Sequence, residues 1–89
     1  MGSMQELTID ERDFSEPAQL MGYLKSELEF PEWFGGNLAA LNDCLGDICE
    51  PTRITIVRRD PTPDTWFDKV CTVIVRVALE NECLKVRIR

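Results

Sequence analysis

Any chemistry in this chain has to come from carboxylates and thiols: it holds sixteen Asp and Glu, four Cys and no His. Cys44, Cys49, Cys71 and Cys83 form no CxxC pair, so the spacing that a zinc site needs is missing. With no secretory segment ahead of them they read as free thiols, Cys44 and Cys71 packing as small apolar side chains. Without histidine the chain also lacks the usual proton carrier near neutral pH and the usual activator of a serine or cysteine nucleophile. Asp43 and Asp47 stand one helical turn apart and could in principle serve a carboxylate-based hydrolase. No nucleophile or ligand set accompanies them, so binding ranks ahead of enzyme chemistry, and neither metal nor cofactor is expected.

The carboxylates are unevenly placed. Residues 1–50 hold eleven of them against Arg12 and Lys25, whereas residues 51–89 hold five against eight bases. Such a negative half repels nucleic acid and anionic membranes, and it attracts and orients a partner whose own surface is basic. The plainer reading, that acids only keep a small protein soluble, stays open on charge alone.

Elements that could position Asp43 follow from the apolar spacing. Leu7-Thr8-Ile9 alternates as a first strand. Ser15 suits a helix N-cap, and Leu20, Leu24 and Leu28 recur every four residues, which predicts a helix over about 16–29 that Phe30-Pro31 ends. Glu32 to Gly36 connects it to a second helix capped by Asn37, with Leu38, Leu41, Leu45 and Ile48 on one stripe. The opposite face carries Ala39, Asp43, Gly46, Asp47 and Glu50, and Pro51 stops the helix. Arg53–Arg58 has the β-branched content of a central strand. Phe67, Val70, Cys71, Ile74, Val77 and Ala78 predict a third helix over 64–80, although Val73-Ile74-Val75 would also suit a strand. Leu84, Val86 and Ile88 then alternate with Lys85, Arg87 and Arg89 as a last strand with one apolar face.

Strands joined by helical crossovers lie parallel with right-handed connections. A wet, cationic side on the last strand leaves one sheet face open. The expected architecture is therefore α/β in two layers, a three-stranded parallel sheet with the helices on one face. Eighty-nine residues make one domain over 4–89, able to hide roughly 60–65% of its unfolded surface. Met1-Gly2-Ser3 ahead of a second Met4 reads as a cloning remnant. No apolar stretch approaches the ~18–20 residues of a membrane span, and a cytoplasmic location is expected.

Residues 31–45, PEWFGGNLAALNDCL, join an aromatic pair, a glycine pair, Asn-Leu and a helix with an acid before Cys-Leu. In this the stretch resembles the barstar family, intracellular inhibitors of secreted bacterial ribonucleases. The resemblance implies a non-enzymatic immunity protein, as in a toxin–antitoxin pair, that inserts an acidic helix into the active site of a nuclease toxin in a 1:1 complex. Carboxylates there take the place of substrate phosphates on the enzyme's cationic groups. Asp43 matches the family's key inhibitory aspartate, and Trp33 an aromatic that lies against the nuclease; read alone, Trp33 could equally be a core or rim ring.

Phe34, Asn37, Leu38, Leu41 and Leu45 match scaffold positions, Asn37 also standing at the edge of the binding face. Ala39 and Asn42 stand where the best-studied member has aspartate and tryptophan, and Val77 where the family has a further acid. The expected partner-binding set is Trp33, Asn37, Ala39, Asn42, Asp43, Gly46 and Asp47, with a target different from the family's first ribonuclease. A different class of function, an acidic regulatory or assembly module for a basic protein that is not a nuclease, is the alternative.

Overall fold

The computed structural model describes residues 4–89; Met1-Gly2-Ser3, read above as a cloning remnant, lie outside the described residues. Strands form at the three β-branched segments: β1 (Gln5–Asp10), β2 (Thr52–Val57) and β3 (Leu84–Ile88). They make one parallel sheet in the order β1-β2-β3, with Leu7 beside Ile54 and Ile54 beside Val86. The helices are α1 (Pro17–Glu27), α2 (Leu38–Gly46) and α3 (Trp66–Glu80), with a short 3-10 turn over Glu11–Asp13 after β1. The expected α/β architecture with a central second strand is the one observed.

One sheet face is apolar and covered, since Leu7, Ile9, Ile54, Ile56 and Leu84 are buried with Leu20 and Leu24 of α1, Leu41 and Leu45 of α2, and Ile74 of α3. The other is wet: Glu6, Arg53 and Lys85 lie side by side across the three strands, all exposed, and Arg53 reaches the Glu6 carboxylate at 3.1 Å. Cys44 and Cys71 are buried free thiols, as expected. Burial is the leading cause that pushes both thiols up, Cys71 to about 11, which makes them packing groups and not nucleophiles.

Several boundaries differ from expectation. Ser15 does not cap α1: Glu16 stands at the N-cap without a side-chain bond, while the Ser15 amide and hydroxyl both bond Gln19 Oε1. At the other end Glu29 adopts left-handed φ 54 and the Phe30 amide returns to the Lys25 carbonyl at 3.0 Å. That closing turn ends α1 before the proline can. Residues 73–75 are helical, within α3, which begins two residues later than expected because Thr65 caps it through the Asp68 amide.

α2 stops at Gly46, short of Ile48 and Glu50, because glycine has the weakest helix preference after proline. Ile48 still packs against the core, from outside the helix. On β3 only Leu84 of the expected apolar face is buried; Val86 is half-buried, and Ile88, at the end of this edge strand, is 51% exposed in an open cleft beside Cys71, Thr72 and Val75 of α3.

Candidate interface on helix α2

The two neighbouring aromatics of the opening motif go opposite ways. Phe34 is 7% exposed and packs on Phe30 with ring centroids 4.9 Å apart, while Trp33 is 61% exposed. Phe34 is thus the anchor that pins the loop, with its amide bonded to the Pro31 carbonyl at 3.0 Å, and Trp33 is not a core ring. Gly36 follows at φ 72, a left-handed conformation that costs a side-chain-bearing residue about 1–2 kcal/mol. That turn delivers Asn37, whose Oδ1 accepts the Ala40 amide at 2.8 Å and starts α2.

Once started, α2 is fastened by Leu41, Cys44 and Leu45, all buried. Ala39, Asn42, Asp43 and Gly46 then fall on one outward stripe by the i, i+3, i+4, i+7 rule, and all four are exposed. Asp47 follows as the C-cap and is exposed too. Leu38 departs from its expected place on the oily stripe: it is 37% exposed and lines the open grooves between α2 and α3 instead of the closed core.

Between α2 and α3 an open groove of about 550 Å³ is lined by Leu38, Ala39, Asn42 and Asp43 on one side and Val73, Arg76 and Glu80 on the other. The structure therefore brings Ala39, Asn42 and Asp43 together. Asn37 lies in a neighbouring, more apolar groove with Met21, Leu38 and Trp66, its Oδ1 committed to the cap. Trp33, Gly46 and Asp47 are exposed but line neither groove. Val77, aligned with a family acid, is 4% exposed in the core. No residue of the α3 wall was in the expected partner-binding set; its signal was the i, i+3, i+7 stripe of Val73, Arg76 and Glu80 beside the core stripe.

Electrostatically, the outward stripe of α2 is uncompensated. The ion pairs found among the described residues join Arg12 and Arg59 to Asp10, Arg53 to Glu6 and Arg58 to Asp68, and none involves Asp43 or Asp47. Their carboxylates add to burial in pushing the Cys44 thiol up, so their field reaches the buried side of the helix as well. Among the described residues no group of three or more His, Cys, Asp or Glu is placed to hold a metal ion. Nor is any described helix long and apolar enough to cross a membrane.

A Bacillus subtilis (strain 168) protein named "Putative ribonuclease inhibitor YrdF" is 48% identical over 42 residues, 47% of this chain and 46% of that protein. The match thus spans about half the length of that relative. The sequence profile described as Barstar (barnase inhibitor) matches residues 4–70, from β1 into α3. The chain belongs to the Barstar (barnase inhibitor) family.

Proposed function

We propose that this protein is an immunity protein: it neutralises a nuclease toxin, a ribonuclease in the first instance, by laying the outward face of α2 and the Trp33 loop over the enzyme's active site. It acts by binding and not by catalysis, as its place in a family of inhibitors implies. The observation that carries the reading is that Asp43 is exposed, held on a helix fastened by buried leucines, and in no ion pair among the described residues.

A nuclease active site offers arginine, lysine and histidine to phosphoryl oxygens, and a carboxylate fixed in advance can pair with the same groups without being cleaved. Trp33 adds a large ring with a polar edge, the type of side chain that most often anchors an interface. Ala39 and Asn42, small where the best-studied member is large and charged, leave the α2/α3 groove open, so the target should fill it with side chains of its own. That geometry favours a partner other than barnase.

The direct test is to mix the purified protein with any nuclease domain found encoded beside its gene and, separately, with barnase, and to follow RNA cleavage. Loss of cleavage at a 1:1 ratio with a stable heterodimer is expected for the neighbouring nuclease. Undiminished cleavage with no complex on a sizing column would refute the proposal.

A further inference from the structure

The end of α2 is held by a residue that belongs to neither the helix nor its loop. Helix C-termini leave carbonyls without partners, and α2 has no basic side chain in its last turn to cover them. The Asp47 and Ile48 amides reach back to the Asp43, Cys44 and Leu45 carbonyls, and the Asn81 side chain, from the α3–β3 turn, adds a hold from outside the helix. Its Nδ2 donates to the Leu45 carbonyl at 3.0 Å, to the Ile48 carbonyl at 3.0 Å and, more weakly, to the Gly46 carbonyl at 3.4 Å.

Asn81 Oδ1 meanwhile accepts the Cys83 amide at 2.9 Å. Exchanging the amide's oxygen and nitrogen would set an acceptor against three acceptors, so the network fixes the orientation. The Asn81 backbone is committed too: its amide bonds the Val77 carbonyl at 2.8 Å and its carbonyl accepts the Leu84 amide at 3.1 Å. One residue therefore ends α3, starts β3 and closes α2.

We propose that Asn81 is a positioning residue for the binding face of α2, setting the angle and spacing of α2 against α3 and hence the groove that Asp43 and Glu80 share. The proposal rests on the inhibitory reading of α2. The geometry supports it in two ways. The three carbonyls that Asn81 gathers begin two residues after Asp43 and bracket Asp47, so release of that end frees the turn on which both carboxylates stand. Asn81 also follows directly on Glu80, a wall of the groove, so the same turn that fixes α2 fixes the opposite wall. A rigid acidic face loses less conformational entropy when it meets a partner, and a loosened one dissociates sooner.

Asn81→Ala is suited to the test, because φ −112 and ψ 110 are open to alanine and every backbone bond is kept. Asn81→Ser, which retains one hydroxyl donor, is a milder second variant should alanine fail to fold. Ile9→Val, a core change in β1, serves as a control that loosens the fold away from Asn81.

In the free protein, hydrogen exchange should quicken by about tenfold at the Cys44–Asp47 amides of Asn81→Ala and stay unchanged in α1. Equal acceleration in α1 and α2 would mean a merely global loss and would overturn the proposal. Dissociation from the nuclease that the wild type inhibits should speed by about tenfold in Asn81→Ala and remain at the wild-type rate in Ile9→Val. Local loosening with unchanged dissociation would also overturn it, while leaving the inhibitor reading intact. Should the wild type bind neither barnase nor the neighbouring nuclease, the inhibitor reading fails, and with it the binding role of Asn81; the exchange pattern alone then decides whether Asn81 holds α2.

Discussion

Replacing Asp43 by alanine should move stability and binding in opposite directions. In the free protein the Asp43 carboxylate has no ion-pair partner among the described residues, so nothing is broken by its loss. Alanine is the better helix former by up to about 0.5 kcal/mol. The change also removes like-charge repulsion with Asp47 four residues on, about 0.2–0.5 kcal/mol. Because Asp43 lies in the C-terminal half of α2, its unfavourable interaction with the helix dipole is relieved by a few tenths more. The sum is about 1 kcal/mol in favour of the variant, or roughly 5 °C in melting temperature for a chain of this length.

In the proposed complex the same carboxylate would face cations about 4 Å away in a partly shielded interface, where one charge pair is worth about 4 kcal/mol. Loss of that pair weakens binding by roughly a thousandfold, mainly through faster dissociation. Barstar itself, the family's namesake, supplies the measured scale for comparison, about 1.5–7 kcal/mol per close pair with barnase, a range taken over and not worked from this structure. Thermal melts at pH 7 and inhibition titrations with the neighbouring nuclease read both halves. A melting temperature lowered by several degrees would show that Asp43 is structural, and an unchanged inhibition constant would refute the phosphate-mimic argument.

Association with that nuclease should slow steeply between about 0.05 and 0.5 M salt, as screening shortens the reach of the acidic half; a salt-independent on-rate in stopped flow would count against steering. Leu45→Ala, at a fully buried position on α2, should cost about 2–5 kcal/mol in chemical denaturation, and a loss under 1 kcal/mol would mean that α2 is not fastened through this side chain. Asp10 is held down to about 2, first by its hydrogen bond from Arg59. A lowered carboxyl stabilises the fold above its unfolded value of 3.8 and loses that contribution as pH falls through about 2. Arg59→Ala should therefore flatten the fall in stability between pH 4 and 2, and an acid limb identical to the wild type would exclude this pair as a cause.

The parallel three-stranded sheet was legible because Leu7-Thr8-Ile9, Arg53–Arg58 and the alternation after Leu84 each carry a strand period, and helical spacing fills the intervals. Asn37 was legible as a cap because capping is local chemistry. Limits arose where a residue's fate depends on what lies opposite. Leu38 keeps perfect helical spacing with Leu41 and Leu45, yet it opens onto the grooves between α2 and α3 instead of the core. Ile88 alternates correctly, but at the end of an edge strand it lines an open cleft against α3. Trp33 and Phe34 are adjacent and chemically alike, and only the packing of Phe34 on Phe30 tells them apart. Arg76 and Asn81 could not be assigned at all, since their partners on α2 lie more than thirty positions away.

Pairing of β1 with β2 joins residues 47 positions apart, as the Glu6–Arg53 contact shows. The α2 side of the candidate interface, from the Phe30–Phe34 anchor to the end of α2, lies inside the loop which that pairing closes. Closing so long a loop is entropically costly before any contact rewards it, whereas the α3–β3 segment is contiguous in the chain. The nascent protein should therefore acquire its interface late, when β1 docks on a β2 already made. An interface completed last is one that a partly made or N-terminally truncated chain should not display, so the proposed inhibition should require a finished sheet.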